Sequence, residues 1–298
     1  MKFATAPARQ LITLGVSLAV GATVLGAPAT AAASPPEGAY WHTRTLTTTT
    51  HPWQFGTSSD PYSLVQQEIV ERWSAPDGKS WFGYRELGTL PKSATDKKAW
   101  QRDGSPSQWS ESIDGKTVKL STQPAKGSLN PVEQQGPNSF ELAGQRLTYE
   151  EVQRLPADPN RLKDWLTKAS QVGRIPDNLI GSSLTTTLPQ ILHDLPAPKE
   201  VRAAAYQALL TMPGVRADGN AKDGLGRSGT AVLIDRTSEE KSTSSSRMRL
   251  VVDTSRMVLL SQSGTVKVNG KALVPKSYDH TLVEAGWTDS QPAVPALP

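Results

Sequence analysis

Four histidines, a scatter of carboxylates and eight tryptophans carry the chemistry that this sequence could perform. His42, His51, His193 and His280 are far apart, and none stands in a His-Glu-x-x-His or His-x-His context that would set two ligands on one face of a metal. Glu68, Glu71, Glu86, Asp253 and Glu284 fall on expected strands and are the acid/base resource. Glu68 and Glu86 face each other across a hairpin, but a hydrolytic carboxylate pair needs a set separation inside a cleft. Solvated strand faces account for them more simply, and Asp253 reads as the cap of a turn. No Gly-x-Ser-x-Gly presents a serine nucleophile. Gly224-Leu-Gly-Arg-Ser-Gly229 has the small residues of an anion-cradling loop, yet it precedes a strand where a phosphate loop precedes a helix, so it reads as a β-turn. The absence of cysteine excludes thiol catalysis and thiolate zinc sites. No catalytic set, metal site or cofactor is expected.

The tryptophans are the more informative group. Trp41, Trp73, Trp81 and Trp109 fall on expected strands and Trp165 on a helical stripe. If several face the concave side of a curved sheet roofed by helices, they line a cavity suited to an acyl chain or an apolar peptide. The plainer alternative is that they fill the core. Alternation puts Trp81 on one strand face with Gly83 and Arg85, and Phe82 with Tyr84 on the other.

The elements that must position these residues are organised around residues 148 to 213. Thr148 and Glu151 form a capping-box pattern. Asp158 is an N-cap before Pro159 at the first helical position, and Leu162, Trp165, Leu166 and Ala169 follow at helical spacing. Leu184, Leu188, Ile191 and Leu195 mark a weaker helix. Pro198 opens a last one, in which Val201, Ala204, Ala205, Ala208, Leu209 and Met212 keep the stripe until Pro213-Gly214 stops it. Such stripes are core faces, and they need a sheet to cover.

Both flanks read as strands. Ala39–Thr50 is a first strand; Leu64–Trp73 and Ser80–Leu87 form a hairpin about Ser74-Ala-Pro-Asp-Gly-Lys79. Residues 88–107 read as a loop, followed by a hairpin over Gln108–Leu120 turning at Asp114-Gly115, and Lys126–Asn138 as another loop. After Pro213, Thr230–Asp235 and Arg247–Val252 flank a polar loop, Ser238–Ser246. Met257–Leu260 pairs back, Asn269-Gly270 turns Val266–Val268 into Lys271–Val274, and Thr281–Trp287 closes. The predicted fold is α+β: a curved antiparallel sheet from both ends of the chain, covered by a central layer of about three helices. One domain is expected over 39–290, after a flexible leader, 34–38, and before a Pro-rich disordered tail, 291–298.

Residues 1–33 read as a secretory signal: Lys2 and Arg9 precede an apolar run, Leu11–Leu25, and Ala29-Thr-Ala31 resembles a cleavage site. The expected location is therefore extracytoplasmic, with a retained single-span anchor as the alternative, the only way a membrane would be involved. An exported chain without cysteine has no disulfides and must rely on its core. The formal charge of +4 falls to +2 once Lys2 and Arg9 leave, and no basic cluster stands out, which argues against a nucleic-acid partner.

Trp73-Ser-Ala-Pro-Asp-Gly78, Leu155-Pro-Ala-Asp-Pro-Asn-Arg-Leu162, Leu209-Leu-Thr-Met-Pro-Gly-Val215, Gly229-Thr-Ala-Val and Val251-Val-Asp-Thr-Ser-Arg-Met-Val-Leu-Leu260 together resemble an uncharacterised bacterial family of exported or singly anchored proteins. Its members are often encoded with extracytoplasmic-function sigma factors. They commonly carry a cytoplasmic segment before a membrane span, which the N-terminus here does not match, and that argues against direct membrane signalling. The resemblance spans about Ala39 to Trp287 and rests on structural punctuation. In element order the family is similar to the LolA-like half-barrel of lipoprotein carriers and of the periplasmic regulator of an anti-sigma factor. The resulting expectation is a non-catalytic exported domain that binds a lipid, an apolar peptide or an envelope protein partner. A secreted hydrolase using carboxylates and a structural surface protein with a filled core are the alternatives.

Overall fold

The two ends of the chain meet in the middle of one antiparallel sheet. The structure, a computed structural model, describes residues 36–113, 116–132, 140–238, 244–272 and 277–298. Residues Ala33–Pro298 form one compact unit. The N-terminal strands are β1 (Tyr40–Thr57), β2 (Asp60–Ser74) and β3 (Ser80–Pro91). A helix, α1 (Ala94–Arg102), a separate hairpin of β4 (Gln108–Ile113) and β5 (Lys116–Ser121), an edge strand, β6 (Ser128–Val132), and a small hairpin, β7 (Phe140–Leu142) with β8 (Gln145–Leu147), follow. Four helices come next: α2 (Tyr149–Gln153), α3 (Pro159–Val172), α4 (Asp177–Ile191) and α5 (Lys199–Leu210). The chain then returns to strands β9 (Val215–Lys222), β10 (Ser228–Ser238), β11 (Ser244–Asp253), β12 (Val258–Val268), β13 (Lys271–Ala272) and β14 (Tyr278–Thr288). Ten strands run in the order β6-β3-β2-β1-β14-β12-β11-β10-β9, with β13 paired to β12, and every pairing is antiparallel. The fold class is thus α+β, with one large antiparallel sheet built from both ends of the chain.

Local chemistry explains the punctuation. In the β2–β3 turn, Gly78 takes φ 95° and the Ala75 amide donates to the Lys79 carbonyl at 2.8 Å. Asn269 and Gly270 adopt φ 50° and 77°, the positive pair that a two-residue hairpin turn requires. Thr148 and Glu151 form the reciprocal capping box of α2. The Asp158 carboxylate accepts from the Asn160 and Arg161 amides at 3.0 and 2.9 Å, opening α3. Leu162, Leu166 and Ala169 of α3, Leu184, Leu188 and Ile191 of α4, and Val201, Ala205, Ala208 and Leu209 of α5 are buried in one cluster with Val232, Ile234, Leu250, Val252 and Leu259. Those five sheet residues share one face by register, so the helices roof that inner face.

Four expectations are corrected. Residues 88–107 are not a loop: β3 continues to Pro91 and α1 follows. That helix buries only Ala99, so it lacks the apolar stripe that periodicity detects; its signal is the Ser93 cap, whose hydroxyl accepts from the Asp96 amide at 3.1 Å. The stretch read as a loop after Lys126 holds β6, where Pro131 is tolerated because the strand lies at the sheet edge. Leu195 and Met212 extend their stripes past the helix ends, and the central layer has four helices where about three were expected, the added one being the short α2. Finally, Gln291–Pro298 is not a free tail but lies on the outer face of β1–β3, with Pro295 buried. The signal sequence, the Asp114-Gly115 turn, most of the loop after Ser238 and residues 273–274 lie outside the described residues. Among those described, no helix is long and apolar enough to cross a membrane.

Candidate functional site

Where the inner face of β1–β3 emerges from beneath the helices, the two layers part around a cavity of about 490 Å³. Strand alternation puts Trp41 and Thr43 of β1, Arg72 and Ser74 of β2, and Phe82 of β3 on this wall. The opposite wall is α4, and its sequence divides the helix between two duties. Leu184, Leu188 and Ile191 point into the core, while Ser183, Thr187 and Gln190, at i, i+4 and i+7, face the cavity. Phe140, Ala143, Ile175 and Leu195 complete it with apolar surface.

Two polar features mark the mouth. Arg72 is exposed, with its guanidinium carbon 5.6 Å from the Phe82 ring centroid, and among the described residues it has no carboxylate within ion-pair distance. At the end of α4, His193 Nδ1 lies 3.1 Å from the Pro189 carbonyl and Nε2 lies 3.0 Å from the Asp194 carboxylate. Both ring nitrogens therefore face acceptors, an arrangement that only the doubly protonated imidazolium satisfies. Burial disfavours that charge, but the Asp194 carboxylate, with its hydrogen bond and the Pro189 carbonyl, outweighs burial and raises the His193 pKa. Burial also raises Asp194, and the adjacent imidazolium more than reverses this, leaving it below the usual carboxylate range. His280, next on the same face, is lowered by burial and then by the His193 charge.

The sign of the linkage follows. His193 binds its proton more tightly in the folded state, so its contribution to stability is complete below about pH 6.5 and is lost as pH rises through its folded value. Asp194 contributes above about pH 4 and loses its share as pH falls through its depressed value. Asp194→Asn is expected to move the His193 titration from above the ordinary histidine value of 6.5 to below it, because burial then faces only the Pro189 carbonyl. Imidazole NMR of both proteins checks this; superimposable His193 curves would refute the pairing.

The five tryptophans do not converge. Trp41 lines the cavity, buried, donating from Nε1 to the His193 carbonyl at 3.3 Å and standing edge-on to Trp287 at 5.8 Å. Trp81 borders the cavity, but its ring is edge-on to Tyr40, on the other side of the sheet. Trp73 is directly opposite Trp81 in register and stacks on His42 at 4.7 Å, on that outer side. Trp109 belongs to a second cluster with Phe55, Tyr62, Leu64 and Ala99, where it donates to the Tyr62 hydroxyl at 3.0 Å. Trp165 packs at the margin of the helical core.

The carboxylates are placed as follows. Asp253 caps its turn, accepting from the Ser255 and Arg256 amides at 2.9 and 3.1 Å. Glu68 and Glu86 do face each other, and the Tyr84 hydroxyl bridges them at 2.9 and 3.2 Å; burial first, and the two carboxylates next, push that phenol far above its ordinary value. Glu71 is buried on the outer face between His42 and Arg44, and Glu284 is exposed. Asp223, in the glycine-rich turn, accepts from the Leu225 and Arg227 amides, which makes that loop the β9–β10 connection. Among the described residues no cluster of His, Asp and Glu could hold a metal. Sequence reasoning missed Arg72 and the His193–Asp194 pair; the polar Ser183-Thr187-Gln190 stripe opposite the apolar one was the signal for the cavity wall. No protein-family model and no curated protein matches this chain.

Proposed function

We propose that this chain is an exported, non-catalytic carrier or sensor domain whose sheet–helix cavity holds a lipid: an acyl chain against the apolar wall and an anionic head at the mouth. The observation that carries the reading is the cavity itself, about 490 Å³ with Trp41, Phe82, Phe140, Ile175 and Leu195 on its walls, opening at Arg72, which has no carboxylate within ion-pair distance among the described residues, although Asp194 and Glu141 also line the cavity. This volume lies within the usual range for ligand pockets, and its lining is shared between apolar side chains and polar ones such as Thr43, Ser183, Thr187 and Gln190, a division that suits an amphiphile. A helix-roofed antiparallel sheet is in keeping with the half-barrel of lipoprotein carriers and with the resemblance in element order. Export rests on the Lys2–Ala31 signal pattern, and a retained span is the alternative location.

The test is native mass spectrometry of the secreted protein, with an organic extract of the same sample. A start near Ala32 and a stoichiometric lipid are expected. Ser183→Trp, which pushes an indole into the cavity from α4, should abolish retention with little loss of folding. An empty wild-type protein, or a lipid held equally by the variant, would overturn the reading. A co-purifying apolar peptide would replace the lipid with the other occupant, and an empty cavity would direct the search to an envelope protein partner by cross-linking on intact cells.

A further inference from the structure

On the face away from the helices, β1–β3 present a groove that is already filled. Alternation and register bring Tyr40, His42 and Arg44 of β1, Glu71 and Trp73 of β2, and Trp81 and Gly83 of β3 to this side. The aromatic rings make two ridges, Tyr40 edge-on to Trp81 at 5.6 Å and His42 stacked on Trp73 at 4.7 Å. Gly83 leaves a notch beside them: a Cβ there would stand 3.0 Å from Pro295 Cγ and 3.1 Å from the Trp73 ring. Gly127 leaves another, where a Cβ would stand 2.6 Å from Val294 Cγ1. A glycine inside a strand marks close approach of another chain segment, and here the segment is Gln291–Pro298.

The polar contacts are those of a peptide site. Tyr40 donates its hydroxyl to Gln291 Oε1 at 3.0 Å, and Arg44 Nη2 donates to the Ala296 carbonyl at 2.7 Å. That guanidinium is aimed by the buried Glu71, which accepts from Arg44 Nη1 at 2.7 Å and holds His42 Nε2 at 2.9 Å with its other oxygen. The seated sequence is Gln-Pro-Ala-Val-Pro-Ala-Leu-Pro, with proline at 292, 295 and 298. Three residues is the period of the polyproline II helix, a conformation that would set the prolines along one edge; Pro295 is buried and Pro292 half-buried, while Ala293, Val294 and Pro298 are exposed. Aromatic ridges, a proline notch and a side chain that grips a backbone carbonyl are how folded domains read proline-rich peptides.

We infer that the outer face of β1–β3 is a binding site for proline-rich peptides in the polyproline II conformation, with Gln291–Pro298 as its resident ligand bound in cis. Only Asp289 and Ser290 separate the segment from β14, so the tether supplies an effective concentration of about millimolar or more. A partner peptide then enters only where the resident segment is displaced or removed. This site is on the opposite side of the sheet from the helix-roofed cavity and stands independently of it.

The experiment uses the full chain and a chain ending at Ser290, each titrated with the synthetic octapeptide Gln-Pro-Ala-Val-Pro-Ala-Leu-Pro while the indole NMR signals of Trp73 and Trp81 are followed. The shortened chain should bind the octapeptide, with both signals shifting, and the full chain should not respond over the same range. Gly83→Val in the shortened chain, or a peptide carrying Pro295→Gly, should weaken binding at least tenfold. A folded shortened chain that ignores the octapeptide would overturn the site. If shortening prevents folding, a protease site placed between Ser290 and Gln291 of the full chain takes its place. The cut octapeptide should then co-elute with the domain and leave on dilution; its immediate loss with the indole signals unchanged would overturn the inference.

Discussion

Glu71→Ala is expected to lower the free energy of unfolding by about 3–5 kcal/mol, the usual result of removing one partner from a buried charge network. The carboxylate is 4% exposed and bonds to both His42 and Arg44, whose side chains are themselves only 10% and 18% exposed. Without it the guanidinium keeps only the Ala296 carbonyl, and the imidazole keeps its stack on Trp73 and a Glu284 carboxylate at 3.8 Å. The loss therefore comes from a positive charge left beneath the 291–298 segment. Glu71→Gln keeps one acceptor oxygen for Arg44, and its amide NH2 can donate to His42 Nε2 in the tautomer that leaves this nitrogen unprotonated, so it should cost less. Urea unfolding at neutral pH measures both, and a loss under about 1 kcal/mol for the alanine variant would show that solvent reaches the network. Hydrogen exchange should also rise at Leu297, whose amide belongs to the peptide unit that Arg44 holds.

Gly214→Ala is the second large effect, about 2–5 kcal/mol, because two costs coincide. Gly214 has φ 75° directly after Pro213, where α5 hands over to β9, and its carbonyl accepts from the Asp235 amide at 2.8 Å. A Cβ there would collide with the Asp235 carbonyl oxygen, so β9 must move away from β10 as well as adopt a left-handed residue. Gly219→Ala is the control. It has φ 72° but nothing within 4 Å of its Cβ position, so only the conformational cost of about 1–2 kcal/mol remains. Equal losses at the two positions would mean that the collision relaxes without consequence.

Much of the fold was legible because its boundaries rest on residues with one physical role. Asp158 before Pro159, the Thr148–Glu151 box and Asn269-Gly270 each act within a few residues, and the structure places all three as read, whereas α5 ends at Leu210, before Pro213-Gly214. Elements held by distant partners were not legible. α1 is polar around its single buried alanine, and β6 exists because β3 offers it an edge. The tail read as disordered because nothing in Pro292–Pro298 reveals that Gly83 and Gly127 leave room for it. The site divides in the same way. Alternation correctly separated Trp81 from Phe82, but which side faced the helices was set by the inner-face residues of β10–β12, more than a hundred positions away. Arg72 gave no signal, since its place at the cavity is set by the pairing of β2 with β1 and β3.

The pairing of β1 with β14, Tyr40 opposite Thr288, also fixes the order in which the molecule can be completed. Local hairpins can assemble β1–β2–β3 and β9–β12 as separate leaves while the chain is still emerging, since each joins sequence neighbours. The seam between the leaves cannot close until the last strand arrives, and closing so long a loop makes this the slow step. Until then β1 and β12 each show an unpaired edge at what will become the centre of the sheet, and those edges are templates for pairing between molecules. A chain delivered in order thus stays open until β14 is released, and its aggregation hazard is concentrated in that interval.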